Sequence, residues 1–313
     1  MMHAVELPLE RVFYPLGYPM RISTNSPHVL RAAEESWGPY QREFPEPELH
    51  LRIAVSNDDG APKFRVPVCR TQWRMWVNVA DDHNFAISDL SRGLGFCVLA
   101  PAVVEDSGYI RYHFIEAMAY SMLAYLYLTP VHAGCVALNG RGILLFGPSG
   151  AGKSCLAFAC AKRGWTYLSD DGSSLIRGRD DLMVLGKPYR IRFRESAADL
   201  FPELEGLRAS APGNGEPSIE IDTTEMPEIA TATRCRIERL VFLNRLPSGP
   251  AQVIPLAEQE ALRRLESEMP LLEQTVHEAQ KASLLSLAKL PAVTLRYSDF
   301  DSAVDRLREL LGE

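Results

Sequence analysis

Gly147-Pro148-Ser149-Gly150-Ala151-Gly152-Lys153-Ser154 satisfies GxxxxGK[ST] and lies between an apolar run, Ile143-Leu144-Leu145-Phe146, and a helical stretch, Cys155 to Lys162. A strand before and a helix after are the context this motif needs. Its glycines let the backbone turn N–H groups toward a phosphate, the helix presents its positive end, and Lys153 adds a mobile cation. Ser154 is then placed to offer its hydroxyl to magnesium. The loop from Gly147 to Ser154, including Pro148, Ser149, Gly150, Ala151 and Gly152, is therefore expected to bind a nucleotide. The competing reading is a Gly-rich strand-to-helix turn that binds nothing. Such a loop touches phosphates and does not specify the base; ATP with Mg2+ is the expected pair.

Working outward, the helix ends at Arg163-Gly164, where Gly164 suits a left-handed cap. Trp165 to Ser169 then reads as a strand, followed by Asp170-Asp171-Gly172. A right-handed crossover between parallel strands would bring both strand ends to one edge of the sheet, and the two carboxylates beside the phosphate loop. One carboxylate can ligate magnesium and the other orient or deprotonate an attacking hydroxyl. Asp-Asp-Gly after a strand is otherwise an ordinary turn, and its place after a phosphate loop is what favours chemistry.

Arg190-Ile191-Arg192-Phe193-Arg194 alternates as a strand does, which puts three guanidinium groups on one face. That face can clamp ATP phosphates or an anionic acceptor, with Arg192 as the candidate nucleotide contact. It can equally be a solvated face paired with Glu195 and nearby acids.

The rest of the chain reads as a smaller α/β amino-terminal domain over 1–128 and the nucleotide domain over 129–313. In the first, Ser26 and Pro27 open a helix running to Trp37, and Leu49 to Val55, Trp73 to Val79 and Phe85 to Leu90 are strand-like. A helix around Ile115 to Leu128 should end at Thr129-Pro130. In the second, Cys135 to Leu138 and Gly142 to Phe146 are joined by Asn139-Gly140, a hairpin signal. Ser210 to Pro217 reads as an exposed loop able to act as a gate. Leu240 to Leu243 reads as a buried strand, Glu258 to Glu266 and Leu271 to Leu287 as helices, Val293 to Tyr297 as a strand, and Phe300 to Leu311 as an amphipathic helix.

Composition narrows the class. With 313 residues and 46% hydrophobic content the chain can bury a sizeable core. A net charge of −7 gives no basic field, which disfavours a nucleic-acid partner. Phe114 to Leu128, the most apolar window, contains Glu116 and is shorter than the ~20 residues a membrane helix needs, so it is expected to be a buried helix and no membrane partner is expected. Cys69, Cys97, Cys135, Cys155, Cys160 and Cys235 show neither a CxxC pair nor metal-like spacing. Reduced thiols and the lack of a secretory pattern point to a cytoplasmic protein.

His132-Ala133-Gly134, the run Gly142 to Gly147, SGAGKS, Lys162-Arg163-Gly164 and Leu168-Ser169-Asp170-Asp171 together resemble, in order and spacing, the catalytic domain of HPr kinase/phosphorylase. The resemblance covers about residues 131–177. It implies a mixed-sheet core of the kind shared with phosphoenolpyruvate carboxykinases, ATP as phosphate donor, a hydroxyl acceptor and a homo-oligomer. Carried over by position, Lys153, Asp170 and Asp171 are the catalytic set, Asp170 the expected base, and Asp171 with Ser154 the expected metal ligands. His132 matches the histidine that precedes that family's phosphate loop, with a structural role in a strand turn equally open. The Glu-x-Arg-Gly-type motif of that family is missing; Ile219-Glu220-Ile221-Asp222 is the nearest stretch. Neither HPr as acceptor nor the phosphorylase reaction is therefore implied.

The expected function is transfer of the γ-phosphate of ATP to a serine or other hydroxyl on a protein, peptide or small molecule. Two alternatives remain open at this stage, an ATP-binding regulator without transfer and a simple NTPase.

Overall fold

Strand Arg141–Phe146 runs almost wholly apolar because both of its faces are covered. Successive side chains point to opposite faces of a sheet. Ile143 and Leu145 accordingly enter one core, with the helices Lys153–Lys162 and Phe300–Leu310, while Leu144 and Phe146 enter the other, with Leu265, Leu284 and Leu287. The same division repeats along Arg234–Arg245, where Val241 and Leu243 face the first core and Leu240 and Phe242 the second.

This computed structural model describes residues 5–57, 64–207, 209, 217–267, 269 and 273–313. Two compact units divide the chain between Tyr127 and Leu128, with Pro217 and 273–276 grouped with the first. Both are mixed α/β. Of the expected loop Ser210 to Pro217 only Pro217 is among the described residues, as are only the later residues of the expected helix Leu271 to Leu287, seen as Gln274–Ala288.

The first unit is built on a seven-stranded mixed sheet in the order Leu9–Phe13, Met20–Thr24, Leu49–Val55, Leu94–Leu99, Phe85–Asp89, Met75–Val79 and Val68–Gln72. Helix Pro27–Trp37 starts where Ser26-Pro27 suggested, without a side-chain cap from Ser26. Trp73, expected inside a strand, sits at φ 58° between two paired strands and so belongs to their turn. The helical stretch is longer than the sequence suggested. It begins at Ser107, passes through a π-helical segment Arg111–Glu116, and ends at Leu126; Thr129-Pro130 lies in the strand Leu128–Val131.

The second unit carries a nine-stranded mixed sheet. Ala133–Leu138 and Arg141–Phe146 form the expected hairpin, with Asn139 at φ 51° and Gly140 at φ 79°, the left-handed pair that a tight hairpin turn requires. Arg141–Phe146 pairs in parallel with Arg234–Arg245, which pairs in parallel with Ala292–Tyr297. The crossover differs from the simplest expectation. Thr166–Ser169 runs in the same direction as Arg141–Phe146, yet Ala133–Leu138 lies between them, antiparallel to both. Ala133 is therefore paired with Phe146, and Cys135 with Ser169. Three strand ends, those leading from His132, to Gly147 and to Asp170, meet on one edge.

Candidate active site

The loop after Phe146 turns through left-handed glycines, Gly150 at φ 85° and Gly152 at φ 93°, and enters the helix Lys153–Lys162 directly. Only glycine takes that conformation without strain. At Gly152 a side chain would also collide with the Tyr297 hydroxyl, which donates a 2.8 Å hydrogen bond to the Ala151 carbonyl. Tyr297 thus braces the loop from the strand Ala292–Tyr297, and burial pushes its hydroxyl pKa upward, so it stays a donor.

Lys153 is buried, its side chain only 5% exposed, and its Nζ donates to the Gly147 carbonyl at 2.7 Å. The same ammonium lies 3.0 Å from Asp171 Oδ1. His132 Nε2 is 2.7 Å from that oxygen. A carboxylate oxygen only accepts, so this contact requires a proton on Nε2. Asp171 is 54% exposed and His132 42%, so the three-residue cluster opens to solvent on one side.

Asp170 faces elsewhere. Its Oδ2 accepts a hydrogen bond from the backbone N–H of Arg192 at 3.0 Å and from Ser154 Oγ at 3.4 Å. Burial raises its pKa, the Arg192 N–H opposes that shift, and the neighbouring Asp171 adds to it. Close packing fixes the backbone here. A Cβ at Gly134 would come within 2.8 Å of the Asp170 carbonyl, which accounts for a glycine two residues after His132.

The sequence placed Ser154 with Asp171 as metal ligands and Asp170 as base; the geometry pairs Ser154 with Asp170 and Lys153 with Asp171. The strand ends are responsible, because successive residues diverge as the chain leaves Thr166–Ser169. Arg192 is also differently placed. Its Nε pairs with Glu220 Oε2 at 2.7 Å, and Arg190 pairs with the same carboxylate, because Arg190–Arg194 is hydrogen-bonded along its length to Ser218–Asp222. Glu220, not Glu195, is the acid of that face. Arg192 meets the site through its backbone, whereas Arg194 reaches the phosphate loop, Nη2 donating to Ser149 Oγ at 2.8 Å. Arg194 belongs to the arginine face expected to clamp phosphates, whereas Tyr297 lies outside the expected site residues. No local signal marks Tyr297, and Arg194 was one member of an alternating trio.

Hard oxygen donors suit Mg2+, which is commonly held by one or two carboxylates together with substrate phosphates. Ser154 Oγ and Asp170 Oδ2, side by side at the helix start, fit that demand. Among the described residues no group of three or more His, Cys, Asp or Glu side chains could hold a metal by itself. No described helix is long and apolar enough to cross a membrane.

No family model matches the chain. Over 63 residues it is 38% identical to HPr kinase/phosphorylase of Peptoclostridium acidaminophilum, a stretch amounting to 20% of each protein. The chain thus spans about a fifth of that relative's length, and the family resemblance expected from sequence is found at that level. A solved structure, the Hpr(Ser) kinase/phosphatase from Coxiella burnetii, aligns with 58% of this chain and 96% of that chain at 14% identity and a TM-score of 0.30.

Proposed function

We propose that this chain, related over part of its length to HPr kinase/phosphorylase, is a magnesium-dependent kinase that transfers the γ-phosphate of ATP to a hydroxyl acceptor. The observation that carries the reading is the convergence of His132 and Lys153 on one oxygen of a half-exposed carboxylate, Asp171, at the edge where the phosphate loop begins. A lysine at this position reaches the β- and γ-phosphates. The carboxylate beside it therefore stands where an acceptor hydroxyl would approach.

In this proposal Asp171 takes the acceptor's proton as the hydroxyl oxygen bonds to the γ-phosphorus and the bond from γ-phosphorus to the β,γ-bridging oxygen breaks, releasing ADP. His132 holds Asp171 in place and keeps one of its oxygens turned to the acceptor. Lys153 and the backbone N–H groups of the loop stabilise charge on the transferred group. Ser154 and Asp170 would hold Mg2+, which supplies further charge neutralisation on the phosphates. Burial raises the pKa of Asp170, and a cation beside it would favour its charged form.

Labelled ATP and Mg2+ with wild type, Asp171→Asn and Asp170→Asn, against HPr and a lysate of the source organism, test this. Asp171→Asn should keep nucleotide binding and lose transfer by about a hundredfold or more. Asp170→Asn should weaken the magnesium dependence of binding. Full transfer by Asp171→Asn would exclude it as base, and hydrolysis with no labelled acceptor would favour an NTPase.

A further inference from the structure

Lys153 fixes the direction in which a triphosphate must lie. Because its Nζ rests on the Gly147 carbonyl and beside Asp171, the terminal phosphate belongs at the Gly147 end of the loop. The nucleoside must leave from the other end. Whatever adjoins Gly147 and Asp171 from outside the loop is on the acceptor's side.

A cavity of about 230 Å³ adjoins Gly147 and reaches Asp171 only through His132, which lines it. Gly147, Pro148 and His132 border it at one end, and Val131, Phe146, Phe242, Leu265 and Met269 supply apolar wall. Phe146 and Phe242 stack at 5.0 Å and belong to the core on the sheet face away from the helix Lys153–Lys162. Pockets that take whole small ligands run to about 300–1,000 Å³, so this space suits a side chain or two. Arg264 at its margin lies 5.2 Å over the Phe242 ring and is already ion-paired with Glu260 at 2.7 Å, so an anionic occupant has little to gain from it.

We propose that this cavity receives a bulky apolar side chain next to the phosphorylated hydroxyl, so that the acceptor is a serine or threonine flanked in its peptide by a residue such as Leu, Met or Phe. His132 spans the two subsites, bordering the cavity while contacting Asp171. The inference rests on the kinase reading above.

The test uses the full chain with labelled ATP, Mg2+ and short serine peptides in which the residues beside serine are Gly, Asp, Leu or Phe, with ATP hydrolysis measured in parallel without peptide. Burial of one such side chain predicts a kcat/KM about tenfold or more higher for the Leu and Phe peptides than for Gly or Asp. Ser267→Trp, which fills the cavity from its exposed rim, should collapse that ratio toward one, and Met269→Ala should lower it for Leu, providing a second variant should the first misfold. Equal transfer to all four peptides would overturn the cavity assignment and leave the kinase intact. Hydrolysis without transfer to any of them would overturn the apolar-flanked acceptor. Neither hydrolysis nor transfer, with ATP bound, would instead sink the kinase reading.

Discussion

His132 Nε2 lies 2.7 Å from Asp171 Oδ1, although one residue precedes the phosphate loop and the other follows its helix. The contact exists because strand Ala133–Leu138 is inserted between the two co-directional strands, so the residue just before it, His132, lies at the edge where both end. A histidine held there restricts the carboxylate it touches. His132→Ala should therefore lower kcat by up to about a hundredfold, the scale of a misplaced catalytic group, with the KM for ATP nearly unchanged. Steady-state transfer kinetics decide it. A change confined to KM would mean that His132 serves nucleotide binding.

The carboxyl of Asp170 makes stability depend on pH. Burial raises its folded pKa above the ordinary 3.8, so the contribution it makes while neutral is present at low pH and is lost as pH rises through the folded value. Asp170→Asn, which keeps an oxygen to accept from the Arg192 N–H and cannot ionise, is expected to raise Tm relative to wild type above the folded pKa, with the gain shrinking as pH falls below it. Mg2+ with ADP should raise the wild-type Tm more than that of the variant. Thermal denaturation across pH reads both effects, and a pH-independent difference would rule out the charge as its cause.

Arg194 and Arg192 separate experimentally. Arg194 donates to Ser149 in the loop, whereas the Arg192 guanidinium is paired with Glu220. Arg194→Ala should weaken ATP binding by about fivefold, the worth of one hydrogen bond at roughly 1 kcal/mol. Arg192→Ala should affect the strand pair Arg190–Arg194 and Ser218–Asp222 more than ATP affinity. Calorimetric titration of both variants with ATP and Mg2+ checks the order, and the reverse order would restore Arg192 as the phosphate contact.

Gly152→Ala should be poorly tolerated. The position has φ 93°, and the new methyl would strike the Tyr297 hydroxyl. A destabilisation of about 1–3 kcal/mol is expected, with loss of nucleotide binding. Tyr297→Phe removes only the 2.8 Å bond to the Ala151 carbonyl and should cost about 1 kcal/mol in denaturant unfolding. If Tyr297→Phe were as damaging as Gly152→Ala, the hydroxyl rather than the backbone would be setting the loop.

The sequence by itself determined what depends on neighbours along the chain. The apolar run into Gly147, the left-handed cap at Gly164, the Asn139-Gly140 turn and the helix over Cys155 to Lys162, which the structure begins at Lys153, are local features. Leu240 to Leu243 is legible as a strand because a strand covered on both faces runs apolar, and Val293 to Tyr297 because apolar residues alternate along it. Tertiary structure alone decided the rest. Which aspartate meets Ser154 depends on how Asp170 and Asp171 diverge after their strand and on the Arg192 N–H that captures one of them. Which arginine reaches the loop depends on the pairing of Arg190–Arg194 with Ser218–Asp222, which commits Glu220 to Arg190 and Arg192. The brace from Tyr297 and the cavity behind Phe146 and Phe242 are products of packing between strands far apart in sequence. Residue type and spacing set conformation over a few positions, but contacts between strand ends follow from sheet order, which no local pattern contains.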